Sequence, residues 1–195
     1  VQPMVAIARS PFIGIEVDSV HFAADVREKL SQARITGVRL ANAHLQAGQH
    51  YEVSVTLQPY RATAFEKRIA FAIPPDAPPG PLSIVASSGD LARQLDRARR
   101  PDASIPRSAG ELLEQIQEPG RADELVVELI QPQSGLTVYG REFPSLPPSA
   151  LSVLGSESSA GHLGPASERV LVRVRQPMRH ALTGQHVIQA TITRQ

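Results

Sequence analysis

Polar and apolar positions alternate most cleanly in the stretch Leu45 to Ser87, around which the rest of the chain is organised. Tyr51, Val53, Val55 and Leu57 share one parity, and Glu52, Ser54, Thr56 and Gln58 share the other. That period of two is the mark of a strand with one face in a core and one in water. Pro59-Tyr60-Arg61 breaks the run, and Ile69, Phe71 and Ile73 resume it. Pro74 to Pro81 is too rich in proline for sheet and reads as a turn. Leu82-Ser83-Ile84-Val85 is a third strand.

Upstream, Ile13, Ile15 and Val17 alternate, and then Val20, Phe22 and Ala24 alternate on the opposite parity. A switch of parity within one strand predicts a β-bulge. Arg27 to Ala33 reads as a helical turn or a wide hairpin loop. Ile35 to Asn42 is a further strand, with Val38 and Leu40 on one face, and Ala47-Gly48 is a turn. Strands at this spacing, separated by turn signals, form the pattern of an immunoglobulin-like β-sandwich, assigned to residues 1–88.

Beyond residue 88 the pattern changes. Asp90 is an N-cap, and Leu91, Leu95 and Ala98 fall at helical spacing until Arg99-Arg100-Pro101 ends the helix. Residues 101–107 are a linker. Ser108 with Glu111 makes a capping box for a second helix, whose apolar face is Leu112, Leu113 and Ile116. Pro119-Gly120 stops it. Leu125 to Ile130 is a strand, Leu136 to Tyr139 a short one, and Phe143 to Ser149 cannot be regular sheet. Ala150 to Leu154 reads as a helical turn, and Gly155 to Ser167, rich in Ser and Gly, as a mobile loop. Val170, Val172 and Val174 form one face of a strand, and after the Thr183-Gly184 turn His186, Ile188, Ala190 and Ile192 form one face of the last.

The predicted class is therefore mainly β. A sandwich over residues 1–88 is followed by a second α+β part over residues 89–195. That part has two short helices and about four strands, either a subdomain of its own or a completion of the same sandwich. The expected core is Tyr51, Val53, Val55, Leu57, Ile69, Phe71, Ile73, Ile84, Val170, Val172, Val174, Ile188 and Ile192.

Composition narrows this further. Aromatics are 4 % of 195 residues and Trp is absent, so the core must be aliphatic. The 17 prolines argue against an all-helical fold. A formal net charge of +1 gives no global field toward nucleic acid or an acidic membrane. Only Lys29 and Lys67 are lysines; the other basic residues are Arg, a compositional bias rather than a binding signal. Without cysteine there are no disulfides, thiolate metal sites or cysteine nucleophiles. No apolar run reaches the roughly 20 residues needed to span a bilayer. The start at Val-Gln-Pro, with neither an initiator Met nor a signal peptide, reads as a piece of a longer or processed polypeptide.

Tests for chemistry find no catalytic, cofactor-binding or metal-binding residue to assign. His21, His44, His50, His162, His180 and His186 have no HxH or HExxH spacing and read as scattered histidines. The serines of Gly155 to Gly161 lack the flanking glycines of a nucleophile elbow. Glu111 with Glu114 and Asp90 with Asp96 read as helix-surface or capping carboxylates. No phosphate-binding glycine loop is present. Arg93, Arg97, Arg99 and Arg100 have no neighbouring aromatics and read as a solvated helix end favoured by the helix dipole. The PxxP-like spacings around 74–81 and 144–148 sit between strands and read as turns.

The segments AGQHYEVSVTLQPYRATAFEKRIAFAIPPDAPPGPLSIVAS (47–87), IPRSAGELLEQIQ (105–117), ELVVELIQP (124–132), FPSLPPSALSVL (143–154) and LTGQHVIQATI (182–192) follow one another in a recognisable order. In that order the chain resembles, from about residue 14 onward, the C-terminal non-catalytic region of bacterial proteins with an N-terminal SpoIVB-type serine peptidase domain. The catalytic serine of that family lies in a Gly-Met-Ser-Gly-Ser-Pro-like motif of the upstream domain, which does not occur here. The resemblance therefore implies a non-catalytic accessory module of an extracytoplasmic protein, periplasmic or secreted. It would need no cofactor, and its partner would be an adjacent peptidase domain or an envelope component. Loops 59–66 and 155–167 are the contact candidates. The alternatives are a stand-alone hydrolase using residues such as His162 or Glu157, and a structural spacer. Converging titratable groups in a deep pocket would favour the enzyme. An exposed apolar patch would favour docking, and a featureless polar surface the spacer.

Overall fold

The computed structural model describes residues 31–99, 108–117, 120–138, 141–143 and 163–193, with the isolated positions 7, 19, 21 and 23. The expected strand over 13–24, the turn at 150–154 and most of the 155–167 loop lie outside these residues. Two sheets enclose one aliphatic core. The first contains β1 (Gln32–Leu40), β3 (His50–Pro59), β4 (Phe65–Ala72) and β9 (Ala181–Thr183), in the order β4-β3-β1-β9. The second contains β2 (His44–Gln46), β5 (Gly80–Ser88), β6 (Glu124–Val138), β7 (Arg141–Phe143), β8 (Leu163–Pro177) and β10 (Gln185–Thr193). Its order is β2-β10-β5-β6-β7, with β8 on β6. Both halves of the chain supply strands to both sheets.

Most pairings are antiparallel. At one margin the first and last strands pair in parallel, β1 with β9 in one sheet and β2 with β10 in the other. The chain passes from β9 to β10, and so from sheet to sheet, through Gly184 at φ 80°. That left-handed value costs glycine nothing and strains any other residue.

The alternation in the sequence becomes the core. Val53, Val55, Leu57, Ile69, Phe71, Ile73, Leu82, Ile84, Leu125, Val127, Leu129 and Ile192 are all buried in one cluster between the sheets. Each such side chain contributes about 1.5–3 kcal/mol. Tyr51 and Ile188 are half-buried against it. Tyr51 keeps its hydroxyl where it accepts a hydrogen bond from the Gln46 amide, at 2.8 Å.

The strand of three valines is corrected. A register shift between Leu129 and Ile130 pairs Val172 with Leu129 but Val170 with Ile130, which leaves Leu171 unpaired. As a result Leu171, Val172 and Val174 pack against the core, all half-buried, and Val170 is displaced from the expected parity. The runs expected at 125–130 and 136–139 belong to one strand, β6, as far as Val138; Tyr139 lies outside the described residues. Pro132 is tolerated inside it because the ladder is irregular between Pro132 and Gly135. Residues 163–167, expected within a mobile loop, belong to β8, and 163–166 pair with β6.

The helix α1 (Gly89–Arg99) follows β5 directly, and α2 (Ala109–Gln117) comes next in the chain. α1 lies on the outer face of the second sheet, against β5, β6 and β8. Ala92 and Leu112 are buried, as are Val85, Val126 and Ile130, whose parity is opposite to the core face. β6 is therefore covered on both sides. Ser108 caps α2 as expected, its hydroxyl accepting from the Glu111 amide at 3.1 Å.

Candidate functional site

Two groups of side chains stand out from this frame: an exposed cluster at one end of the sandwich and a buried cluster under α1.

The exposed cluster begins where β3 runs out. Pro59 has no amide hydrogen to continue the ladder, and the chain turns through Tyr60 and Arg61 into β4. The turn is braced. The Tyr60 amide donates to the Gln32 carbonyl at 3.0 Å, and the Ala62 amide to the Pro59 carbonyl at 3.4 Å. Gln58 Nε2 donates to the carbonyls of Pro59 at 3.1 Å and Ala62 at 2.5 Å. Arg61 is the sole non-glycine residue with positive φ among the described residues, at 53°. A bulky residue held there is strained, and such strain gathers at functional sites.

The braced turn presents large side chains to solvent. Tyr60 is 56 % exposed, and the Arg61 guanidinium lies over its ring, 5.1 Å from the centroid. Phe65 is 36 % exposed and its ring meets that of His180 at 6.0 Å, tilted by 41°. His180 comes from the β8–β9 turn, tied to the start of β1 by the Ser31 hydroxyl, which donates to the Arg179 carbonyl at 2.7 Å. The Ala181 amide also donates to the Ser31 carbonyl at 2.9 Å. Arg34 sits at the same end, in register between Gln58 of β3 and Thr183 of β9. The end of the molecule thus carries two exposed aromatics and the cations Arg34, Arg61 and Arg179. Among the described residues none of those three is in an ion pair.

The buried cluster centres on Glu128, whose side chain is fully buried on the outer face of β6. Arg99 of α1 donates from Nη1 to Glu128 Oε2 at 2.9 Å, and from Nε to Glu168 Oε2 at 3.0 Å. Arg173 of β8 donates from Nε to Glu128 Oε1 at 2.6 Å, and its Nη2 pairs with Asp96 Oδ2 at 2.6 Å. Burial opposes the charge of Arg173. The bond to Asp96 and the charges of Glu128 and Asp96 outweigh it and hold its pKa above the ordinary arginine value. Both oxygens of the buried carboxylate are matched by guanidinium donors, the condition under which a charge survives away from water. Chemically this is a clamp from α1 through β6 to β8.

The Arg99 expectation is therefore corrected. Its side chain is only 13 % exposed and points into ion pairs, so it is not part of a solvated helix end. Asp96 is likewise part of the clamp. Sequence reasoning missed Glu128, although a signal was present. Glu128 interrupts the apolar run Leu125 to Ile130, where a charge on a doubly covered strand demands a partner.

The remaining candidates are scattered. His44 is at an edge strand and His186 is in β10 against β5. Glu157 and His162 lie outside the described residues. Among the described residues, no three His, Asp or Glu side chains converge as a metal site, and no helix is long and apolar enough to cross a membrane. Two shallow concavities are lined by described residues. One, of about 460 Å³, is lined by the turns at Gly48 and Pro75 to Pro79. The other, of about 430 Å³, lies on the outer face of the first sheet by Arg39, His50, Glu52 and Arg68. No protein-family model, curated protein sequence or solved structure matches the chain.

Proposed function

We propose that this chain is a non-catalytic accessory module of a bacterial extracytoplasmic protein, and that it docks on a protein partner through the end of the sandwich at residues 59–66. The observation that carries the reading is the braced hairpin turn with Tyr60 and Phe65 exposed on it. A turn fixed by four hydrogen bonds loses little further entropy on binding, and exposed aromatics are the side chains that anchor interfaces. The sandwich is read as immunoglobulin-like, supported by two largely antiparallel sheets over a shared aliphatic core. Loops at the ends of such sandwiches are common binding sites. The expected partner is the peptidase domain implied by the resemblance to SpoIVB-type proteins.

The test is association of the chain with a SpoIVB-type peptidase domain, followed by biolayer interferometry. The expected result is binding that Tyr60→Ala with Phe65→Ala weakens by at least tenfold while the melting transition stays cooperative. Unchanged binding by that double variant would remove the docking end from 59–66. No association of the wild-type chain would remove the peptidase as partner.

A further inference from the structure

The partner's chemistry can be taken further, on the footing that the 59–66 end is the docking site. Among the described residues, three cations there are in no ion pair, while the one carboxylate of the segment, Glu66, is answered by Arg39. Arg34 is exposed on β1, Arg61 covers one face of Tyr60, and Arg179 is exposed beside His180. Elsewhere on the same sheet the arginines do have partners. Arg39 lies 3.5 Å from Glu66, and Arg68 lies 3.6 Å from Glu52. Within one exposed face, charges are balanced along the strands and left unbalanced at the end where the aromatics are exposed.

We infer that this end binds a short acidic peptide segment of a protein partner, whose carboxylates pair with Arg34, Arg61 and Arg179 while an apolar or aromatic side chain lies on Tyr60 and Phe65. Guanidinium forks recognise carboxylates with two parallel hydrogen bonds. An anion bound to Arg61 leaves its contact with Tyr60 in place, because the guanidinium edge is free to donate while its plane faces the ring. A nucleic acid or other continuous polyanion fits less well. Such chains follow an extended basic groove with successive stacking platforms. Here the cations are confined to one end, and a strand leaving it along the sheet meets Glu66 and Glu52. A peptide of a few residues ends before it reaches Glu52, and Glu66 is already paired with Arg39.

The test uses the full chain and fluorescein-labelled 12-residue peptides read by anisotropy. One is Glu-rich with a central Trp, one is Glu-rich without it, one is Lys-rich with Trp, and an oligo-dT strand is the polyanion probe. The inference expects the Glu/Trp peptide to bind best and to lose about tenfold in affinity between 50 and 200 mM salt. Arg61→Glu and Arg179→Glu should each weaken it about tenfold, and Arg97→Glu, exposed on α1 over the other sheet, should leave it unchanged. Preference for oligo-dT, or indifference to the Trp, would overturn it in favour of a general polyanion site. Equal binding by wild type and Arg61→Glu would overturn it outright. If the Lys/Trp peptide binds and only Tyr60→Ala removes that binding, the docking end stands and the acidic partner falls. Circular dichroism on each variant separates loss of affinity from loss of fold.

Discussion

On the outer face of the four-stranded sheet, Arg39 lies 3.5 Å from Glu66, with their side chains 78 % and 46 % exposed. On the outer face of the six-stranded sheet, Arg173 reaches Glu128 at 2.6 Å, and the carboxylate has no exposure at all. The residue types are alike, but Arg39 on β1 and Glu66 on β4 reach across β3, whereas Glu128 and Arg173 face each other on adjacent strands. The roof differs too. α1 covers β5, β6 and β8 and leaves the other sheet bare. Under a roof an unpaired charge cannot rehydrate, so pairing is obligatory and its geometry tight. In water both partners are already solvated, and the same pair adds little. The clamp is thus the condition on which α1, a helix with few buried apolar side chains, can lie where it does.

The largest effect should come from breaking the clamp on one side only. Glu128→Ala takes from Arg99 and Arg173 their shared, fully buried carboxylate, leaving them Glu168 and Asp96 at the margin, and should cost about 3–5 kcal/mol in urea unfolding. Replacing the whole clamp together, Glu128→Met with Arg99→Met, Arg173→Leu and Asp96→Asn, should be neutral or stabilising by comparison, since none of these residues then keeps a charge under α1. If the single variant lost less than about 1 kcal/mol, water must already reach Glu128 and the contrast between the two faces would collapse.

The roof itself can be lifted. A Cβ on Gly120 would collide with the Gly89 carbonyl oxygen, part of a backbone that cannot swing aside. Gly120→Ala should therefore push the start of α1 off the sheet and cost about 3 kcal/mol, the upper end for overpacking. Amide exchange should quicken along α1 and the outer side of β6 but not along β3. Uniform exchange across both sheets would show that α1 and the sheet do not part locally.

This contrast also explains how much could be read in advance. Tyr51 to Leu57 announced β3 because one face of that strand is wet, and wetness keeps the polar half of the alternation. Leu125 to Ile130 carries no such alternation, because α1 covers its second face. There the one polar residue, Glu128, marks a clamp rather than a solvent face. Arg99 could not be placed from its helix alone, since its partners come from positions 29 and 69 residues away. The bulge that moves Val170 out of phase arises from the pairing of β8 with β6, a relation invisible in either strand by itself. At the other end of the molecule, the Pro59-Tyr60-Arg61 break was legible as a turn. Its bracing by Gln32 was not, since that bond depends on which strand lies beside β3, and the local bonds of Gln58 follow only once the turn's path is set.

On the bare sheet, Glu66→Ala should change stability by less than about 0.5 kcal/mol at 0.15 M salt. Chemical denaturation of this variant beside Glu128→Ala gives the comparison in one experiment. A loss above about 1.5 kcal/mol would mean that exposure does not decide the worth of these pairs.

The smallest effect concerns a pair just outside the roof. Arg121 donates to both oxygens of Asp123, from Nε at 2.8 Å and Nη2 at 2.7 Å. That hydrogen bonding holds the Asp123 carboxyl below its ordinary pKa, and the charge of Arg121 adds to the shift. A carboxyl depressed in the folded state contributes stability that is fully present above its unfolded pKa, near 3.9, and lost as pH falls through the folded value. Asp123→Asn should therefore narrow the difference in melting temperature between pH 7 and pH 3. Both partners are exposed to solvent, so the narrowing should be slight and should vanish in 1 M NaCl. Geometry here is as good as in the clamp, with two short bonds in a forked arrangement. If the narrowing survived high salt, or rivalled the loss in Glu128→Ala, geometry rather than the roof would set the strength of an ion pair in this fold.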